Sequence, residues 1–421
     1  MSALMHLAYA KRVLTASELS DVLALAQSGT SLNAKYRPTA KMILQCCQGL
    51  AMLDRETNQM RLAHYAIHEY LVTNAETIFP QIGVRLALDC LRYLLLDDFK
   101  DGAYVTEEAM ASRIEAYPFH PYASRHCGGY ARHEEMHPDV WNALYDLYAS
   151  RESLAAAIQS MRFAKGYHEG YYNAVECSSF TPVHYAAQQG LINSVRMLLE
   201  RGLATANDRT DQGSTPIILA ASNGHAATVQ LLLKDHGADP RLSNWYGNAL
   251  QCAVESGQVK VVRQLVEWGM DPNGEPAGDP DGDGCPPLAC ALDHDSAAVF
   301  ELLVDLGARI KIDLHPEGES DSADVFCLAC YWGCERIAEL MLRRGWVDVR
   351  RSGPARFAVR GVSLRVLSRL RLRLAGADVN IVDDAGSTPL WYARQVGDQV
   401  EVDILLGDEA ESDAMDATND G

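Results

Sequence analysis

No Gly-Lys dipeptide occurs anywhere in the chain, so a G-x-x-x-x-G-K-[ST] phosphate loop is excluded. Basic residues are scarce: 37 Lys and Arg stand against 56 Asp and Glu, a formal net charge of -19. That balance argues against a general nucleic-acid binder, which needs clustered cations to displace counterions. No apolar run approaches the ~18 residues of a membrane span. The opening MSALMHLAYAKRV lacks the basic-then-apolar layout of a signal peptide. Eleven cysteines in 421 residues do not make a disulfide framework, and several, such as Cys46-Cys47, sit inside apolar helical patterns. The expected setting is therefore reducing and intracellular, the cytoplasm, with the nucleus left open. What is plentiful is apolar material: 48% of the residues are hydrophobic, enough for two or three domains with buried cores. The exception is the tail 408–421, acidic and apolar-poor, which reads as a solvated, disordered end.

A period runs through the second half. Thr181 begins TPVHYAAQQGLINSVRMLLERG, Thr215 begins TPIILAASNGHAATVQLLLKDHG, and Asn248 begins NALQCAVESGQVKVVRQLVEWG. Pro286 and Thr388 open further copies, PPLACALDHDSAAVFELLVDLG and TPLWYARQVGDQVEVDILL. Thr can cap the first helix, and Pro suits its first turn because the missing N–H costs nothing there. Small residues follow (Ala186-Ala187, Ala220-Ala221, Ala253) and let two short helices approach closely. Gly190, Gly224 and Gly257 allow the tight turn between them, and Gly202, Gly237, Gly269 and Gly307 end the second helix as left-handed caps. Each unit leaves an apolar face that only its neighbour can cover. The period near 33 and the T-P-x-H-x-A signature resemble the ankyrin repeat.

One stretch departs from this pattern. Arg350–Leu374 has the length of a repeat but carries eight arginines, no lysine and no acid. It lacks the Thr-Pro, the alanine pair and the turn glycine. Right length with wrong residues is what a shifted reading frame gives. A basic insertion for an acidic partner is the alternative.

The first half starts with helical spacing at Leu4, Leu7 and Ala8. Thr15 to Glu18 reads as a capping box for a helix to about Leu25. A third helix is expected over about 38–48, then a hairpin turning at Glu56–Asn58, then a helix at YAIHEYLV. This is a winged-helix layout. With its hairpin, RLAHYAIHEYL resembles the winged-helix module that follows the NACHT nucleotide-binding domain in fungal NOD-like receptor proteins. The segment YPFHPYASRHCGGYARH (Tyr117–His133) resembles an aromatic motif of their helical connector. That resemblance implies a regulatory or sensing role beside an ATPase that would precede Met1. The chain is then either a fragment or a free-standing descendant, with a NACHT domain a partner in cis or trans. Without the phosphate loop, nucleotide binding does not carry over.

The expected fold is mainly α: an ankyrin-repeat solenoid preceded by a small winged-helix domain and a helical connector. The boundaries are 1–77 for the winged helix, 78–178 for the connector, 179–407 for about six to seven repeats (350–374 degenerate) and 408–421 for the tail. Metal-like groupings read as structure. His64 and His68 have i, i+4 spacing but no visible third ligand. His120, His126, Cys127, His133 and His137 match no closed site. Asp279, Asp281, Asp283 and Gly284 form half a calcium loop whose twelfth position is Cys290 rather than Glu. Cys327, Cys330 and Cys334 fall into repeat register as helix and turn residues. No catalytic residue, cofactor or metal is expected. The expected activity is a non-catalytic scaffold that binds a protein through the concave face and the hairpin tips Asn207–Gly213, Ser243–Gly247 and Asp271–Gly284. Trp245 and Tyr246 are the anchor candidates, with Asn244, Asp208 and Asp211 beside them. DNA binding by the winged helix is the weaker reading, because PTAKMILQCCQGL offers one lysine and no arginine to phosphates.

Overall fold

The computed structural model describes residues 1–163, 177, 179–274, 286–310, 325–346, 391 and 394, with backbone alone at 163, 327, 330 and 331. They fall into two units, one of 1–220 with 227–239, the other of 221–226 with the residues from 240 onward.

The first unit opens with α1 (Ser2–Tyr9), β1 (Leu14–Thr15), α2 (Ala16–Leu25), α3 (Ala40–Cys46), β2 (Ala51–Asp54), β3 (Gln59–Leu62) and α4 (Tyr65–Thr73). The Thr15–Glu18 capping box is formed: Thr15 Oγ1 accepts from the Glu18 N–H, and the Glu18 carboxylate accepts from the Thr15 N–H at 2.8 Å. The hairpin turns where Asp54 accepts from the Glu56 and Thr57 N–H groups and Asn58 takes φ 53°. β3 is central in the antiparallel order β1–β3–β2, with Met60 facing both Leu14 and Leu53 and fully buried. The sequence reading missed β1, because two residues are too few to show alternation.

After α5 (Ala75–Ile78), the chain forms α6 (Ile82–Leu94), α7 (Glu107–Ala116), α8 (Phe119–Glu134), α9 (Pro138–Ala149) and α10 (Arg151–Phe163). α6 buries Val84, Ala87 and Leu91 along one helical stripe and Tyr93 on the opposite side, packing on both α8 and α9. α8 runs unbroken through Gly128-Gly129, a pair that propensity alone would place in a turn. The reason is close approach: a Cβ at Gly128 would lie 2.5 Å from Gln189 Cβ.

Gln189 ends α11 (Pro182–Gln189), the first helix of the first repeat, which is followed by α12 (Ile192–Glu200). Its amide donates to the Ser124 carbonyl, and the Arg132 guanidinium donates to the Gln189 carbonyl at 2.9 Å. Glu135, buried, accepts from the N–H groups of Asn193 and Ser194 at the start of α12. α8 and Glu135 thereby cover the outer face of the first repeat, as a neighbouring repeat would. The second repeat supplies α13 (Pro216–Ser222) and α14 (Ala226–His236).

The second unit holds α15 (Ala249–Glu255), α16 (Val259–Trp268), α17 (Pro287–Asp293), α18 (Ala297–Asp305), α19 (Val325–Trp332) and α20 (Glu335–Arg343). Ala253, Ala291 and Ala329 are fully buried where the helices cross. In the fourth repeat the left-handed turn residue is Asp295, φ 43°, in place of glycine. Its carboxylate accepts from the N–H groups of Arg336 and Ile337, capping α20 of the next repeat, which glycine could not do. The segment 350–374, the calcium-like loop at 279–284 and the acidic tail lie outside the described residues.

Candidate functional site: the hairpin tips

The tips are built by local hydrogen bonds. At the first, Thr181 donates its N–H to His184 Nδ1 at 3.2 Å, so the His184 proton sits on Nε2 and is donated to the Asp208 carbonyl at 3.0 Å. Burial lowers the pKa of His184, which is neutral in this arrangement. The ring of the Thr-Pro-x-His signature therefore ties the first helix to its hairpin. Asp208 closes a local turn, its carboxylate accepting from the Thr205 N–H and hydroxyl at 3.1 and 2.5 Å. Asp211 is exposed and its N–H donates to Ser179 Oγ. Asn207 Oδ1 accepts from the Asp239 N–H at 2.9 Å, and Asn273 Oδ1 accepts from the Arg309 N–H at 2.8 Å. The asparagine does the same work in both units: it links one tip to the backbone that follows the next repeat.

The tip Ser243–Gly247 is a two-residue turn. Asn244 and Gly247 exchange backbone hydrogen bonds at 3.0 and 3.1 Å, with Gly247 at φ 119°. Asn244 is 8% exposed, and its Oδ1 accepts from the Tyr246 N–H at 2.8 Å. The two central residues are pushed outward: Trp245 is 59% and Tyr246 47% exposed. Of the five expected contact residues, the aromatic pair and Asp211 face solvent. Asn244 and Asp208 instead hold the turns that present them. Sequence reading could not separate these roles, because Asn and Asp serve turns and contacts equally well.

The groupings that suggested metal have separate duties. His64 caps α4, its Nδ1 accepting from the Ala66 N–H, and His137 caps α9 through the Asp139 N–H. Cys334 is buried and its thiol donates to the Leu292 carbonyl at 3.1 Å. Burial pushes the Cys127 thiol up to about 12. Among the described residues, no three His, Cys, Asp or Glu side chains converge as a metal site, and no helix is long and apolar enough to cross a membrane. The side chains of Cys327 and Cys330 lie outside the described residues.

His120 is fully buried, with Nδ1 2.6 Å from Ser160 Oγ and its ring 3.9 Å from that of Phe99. Burial, helped by the charge of Arg113, lowers its pKa from 6.5 to about 3. An unfolded chain takes up this proton near 6.5 and the folded one does not until about 3. Stability is therefore full above the higher value and is lost as pH falls through the window. Each pH unit costs ~1.4 kcal/mol for such a group. The expected result is a lower urea midpoint at pH 5 than at pH 7, with a shallower pH slope in His120→Asn. An unchanged slope in that variant would remove His120 as the cause.

Comparison with known proteins matches residues 147–244 and 183–276 to a family model described as ankyrin repeats in 3 copies. The chain is 30% identical over 165 residues to "Ankyrin repeat and KH domain-containing protein mask-1" of Caenorhabditis elegans, an overlap of 39% of this chain and 6% of that protein. It is 33% identical over 101 residues to "Ankyrin repeat protein nuc-2" of Neurospora crassa, covering 24% of this chain and 9% of that one. The chain thus spans only 6% and 9% of the length of these relatives. Among solved structures, the human ASB11 ankyrin repeat domain matches at 22% identity and a TM-score of 0.44, covering 55% of this chain and 99% of that domain.

Proposed function

We propose that this chain, which a family model of ankyrin repeats matches over residues 147–244 and 183–276, is a non-catalytic scaffold that binds a protein through its hairpin tips and concave face. The observation that carries the reading is the outward pair Trp245-Tyr246 on a turn braced by Asn244. Large, stiff aromatics supply contact area at small entropic cost, and rigid presentation reduces what binding must order. Trp245→Ala is expected to weaken partner binding by about 2 kcal/mol, roughly thirtyfold, with the helical circular dichroism unchanged. A pull-down quantified by mass spectrometry, wild type against variant, identifies the partner, and titration then gives the two affinities. Equal affinities would remove the tip from the interface.

A finer reading makes the chain the regulatory and sensing part of a fungal NOD-like receptor type protein. The alternative within it is a truncated switch acting with a separate or missing NACHT ATPase. The order helix, strand, helix, helix, strand, strand with β3 central supports a winged helix over 1–77. The fit of α8 and Glu135 onto the first repeat supports 78–178 as a connector that couples that module to the array.

A further inference from the structure

The turn inside each repeat is marked by a residue of positive φ: Gly190, Gly224, Gly257, Asp295 and Gly333. Two places before it, the first two repeats carry Gln188 and Ser222, whereas the third and fourth carry Glu255 and Asp293. These acids end α15 and α17, which pack side by side, so the shared register brings them to neighbouring positions. The pairing is felt by Glu255. Burial raises its carboxyl pKa, the His294 imidazole opposes the rise, and the Asp293 charge adds to it.

Between the fourth and fifth turns lies an open cleft of about 580 Å3, lined by Asp293, His294, Asp295, Trp332 and Cys334. Its polar groups are not equally free. Asp295 is occupied in capping α20, and the Cys334 thiol is bonded to the Leu292 carbonyl. Asp293 is exposed, with no hydrogen-bond or ion-pair partner among the described residues. Trp332 is 42% exposed, and its indole N–H also has no partner among them.

We infer that this cleft receives an arginine side chain of a partner protein, its guanidinium over the Trp332 ring and paired with Asp293, while Glu255 deepens the negative field. A guanidinium is planar, stacks on an indole and forks onto a carboxylate, where a lysine ammonium offers only a point charge. A net charge of -19 favours encounter with a basic segment. The surface lies at the far end of the first helices from the Trp245 turn, since α15 begins just after that turn and ends at Glu255. The inference rests on the protein-binding reading but not on that tip.

The test is fluorine NMR on the full chain labelled with fluorotryptophan, which gives six resonances, the one from Trp332 assigned by Trp332→Phe. The probes are the blocked tripeptides Gly-Arg-Gly, Gly-Lys-Gly and Gly-citrulline-Gly. Gly-Arg-Gly is expected to shift the Trp332 resonance saturably and leave that of Trp245 in place. Lysine should act more weakly, and citrulline, flat but uncharged, should be silent. Asp293→Asn, a surface change, should raise the midpoint about fivefold. No saturable shift at Trp332, an unchanged midpoint in Asp293→Asn, or citrulline matching arginine would each overturn the site. A partner lost in Trp245→Ala while Trp332 stays silent would remove the arginine site and leave the scaffold reading standing.

Discussion

Glu135→Ala is expected to destabilise the first repeat by about 3–5 kcal/mol, and Glu135→Gln by much less. The Glu135 carboxylate is 1% exposed and accepts from Asn193 and Ser194 at 3.0 and 2.5 Å. These are among the N–H groups that a helix start leaves without an internal acceptor. Alanine strands both in a dry interface, at ~1–3 kcal/mol each, and removes a negative charge from the positive end of α12. Glutamine keeps one acceptor oxygen and much of the shape. Because repeats are held by nearest neighbours, the loss should be local. Hydrogen exchange would show the α12 amides opening faster while those of α18 stay protected, and urea titration would give the magnitude. Protection of α12 equal to wild type would mean the carboxylate is replaceable by water. Asp295 makes the same pair of bonds to α20, so Glu135 and Asp295 serve two helix starts in the same way.

The second large effect is expected at Asp21. Its carboxylate is 1% exposed, accepts from the Tyr93 hydroxyl at 2.5 Å, and pairs with Arg37 Nε at 2.7 Å. Tyr93 itself is fully buried. Removing the carboxylate leaves the Arg37 side chain, 31% exposed, to water but strands the buried Tyr93 hydroxyl, at ~1–3 kcal/mol. Asp21→Ala should therefore cost about that much in urea denaturation of the first unit. Tyr93→Phe added to it should cost less than the sum of the two single changes, since the hydroxyl has already lost its acceptor. Strict additivity would mean that Asp21 and Tyr93 do not act together.

What could be read without coordinates was whatever local chemistry repeats. The Thr-Pro starts, buried alanines and turn glycines recur because each solves a short-range problem, and Gly190, Gly224, Gly257 and Gly333 sit at positive φ, with Asp295 taking that place in the fourth repeat. The Thr15–Glu18 box and the Asp54–Asn58 turn were legible for the same reason: their partners lie within four residues. Cys334 takes the place that repeat register gives it, just past the turn, with its thiol donating to the Leu292 carbonyl.

Long-range partners were not legible. Gly128-Gly129 lies inside a helix, and Gly128 leaves room that Gln189, 61 positions away, occupies. Glu135 looks like any surface acid until α12 arrives above it. Among the hairpin tips the sequence offered five residues alike, and only the fold separated Trp245 and Tyr246, which face solvent, from Asn244 and Asp208, whose side chains accept from nearby backbone N–H groups. Asp293 was visible as a letter, but it came to line a cleft with Trp332 only when the fourth and fifth repeats were stacked. By itself the sequence determined the repeat, its turns and its caps, because those depend on residues close along the chain. The tertiary structure decided which polar groups are spent on the fold and which are left over, because that depends on what distant segments bring against them.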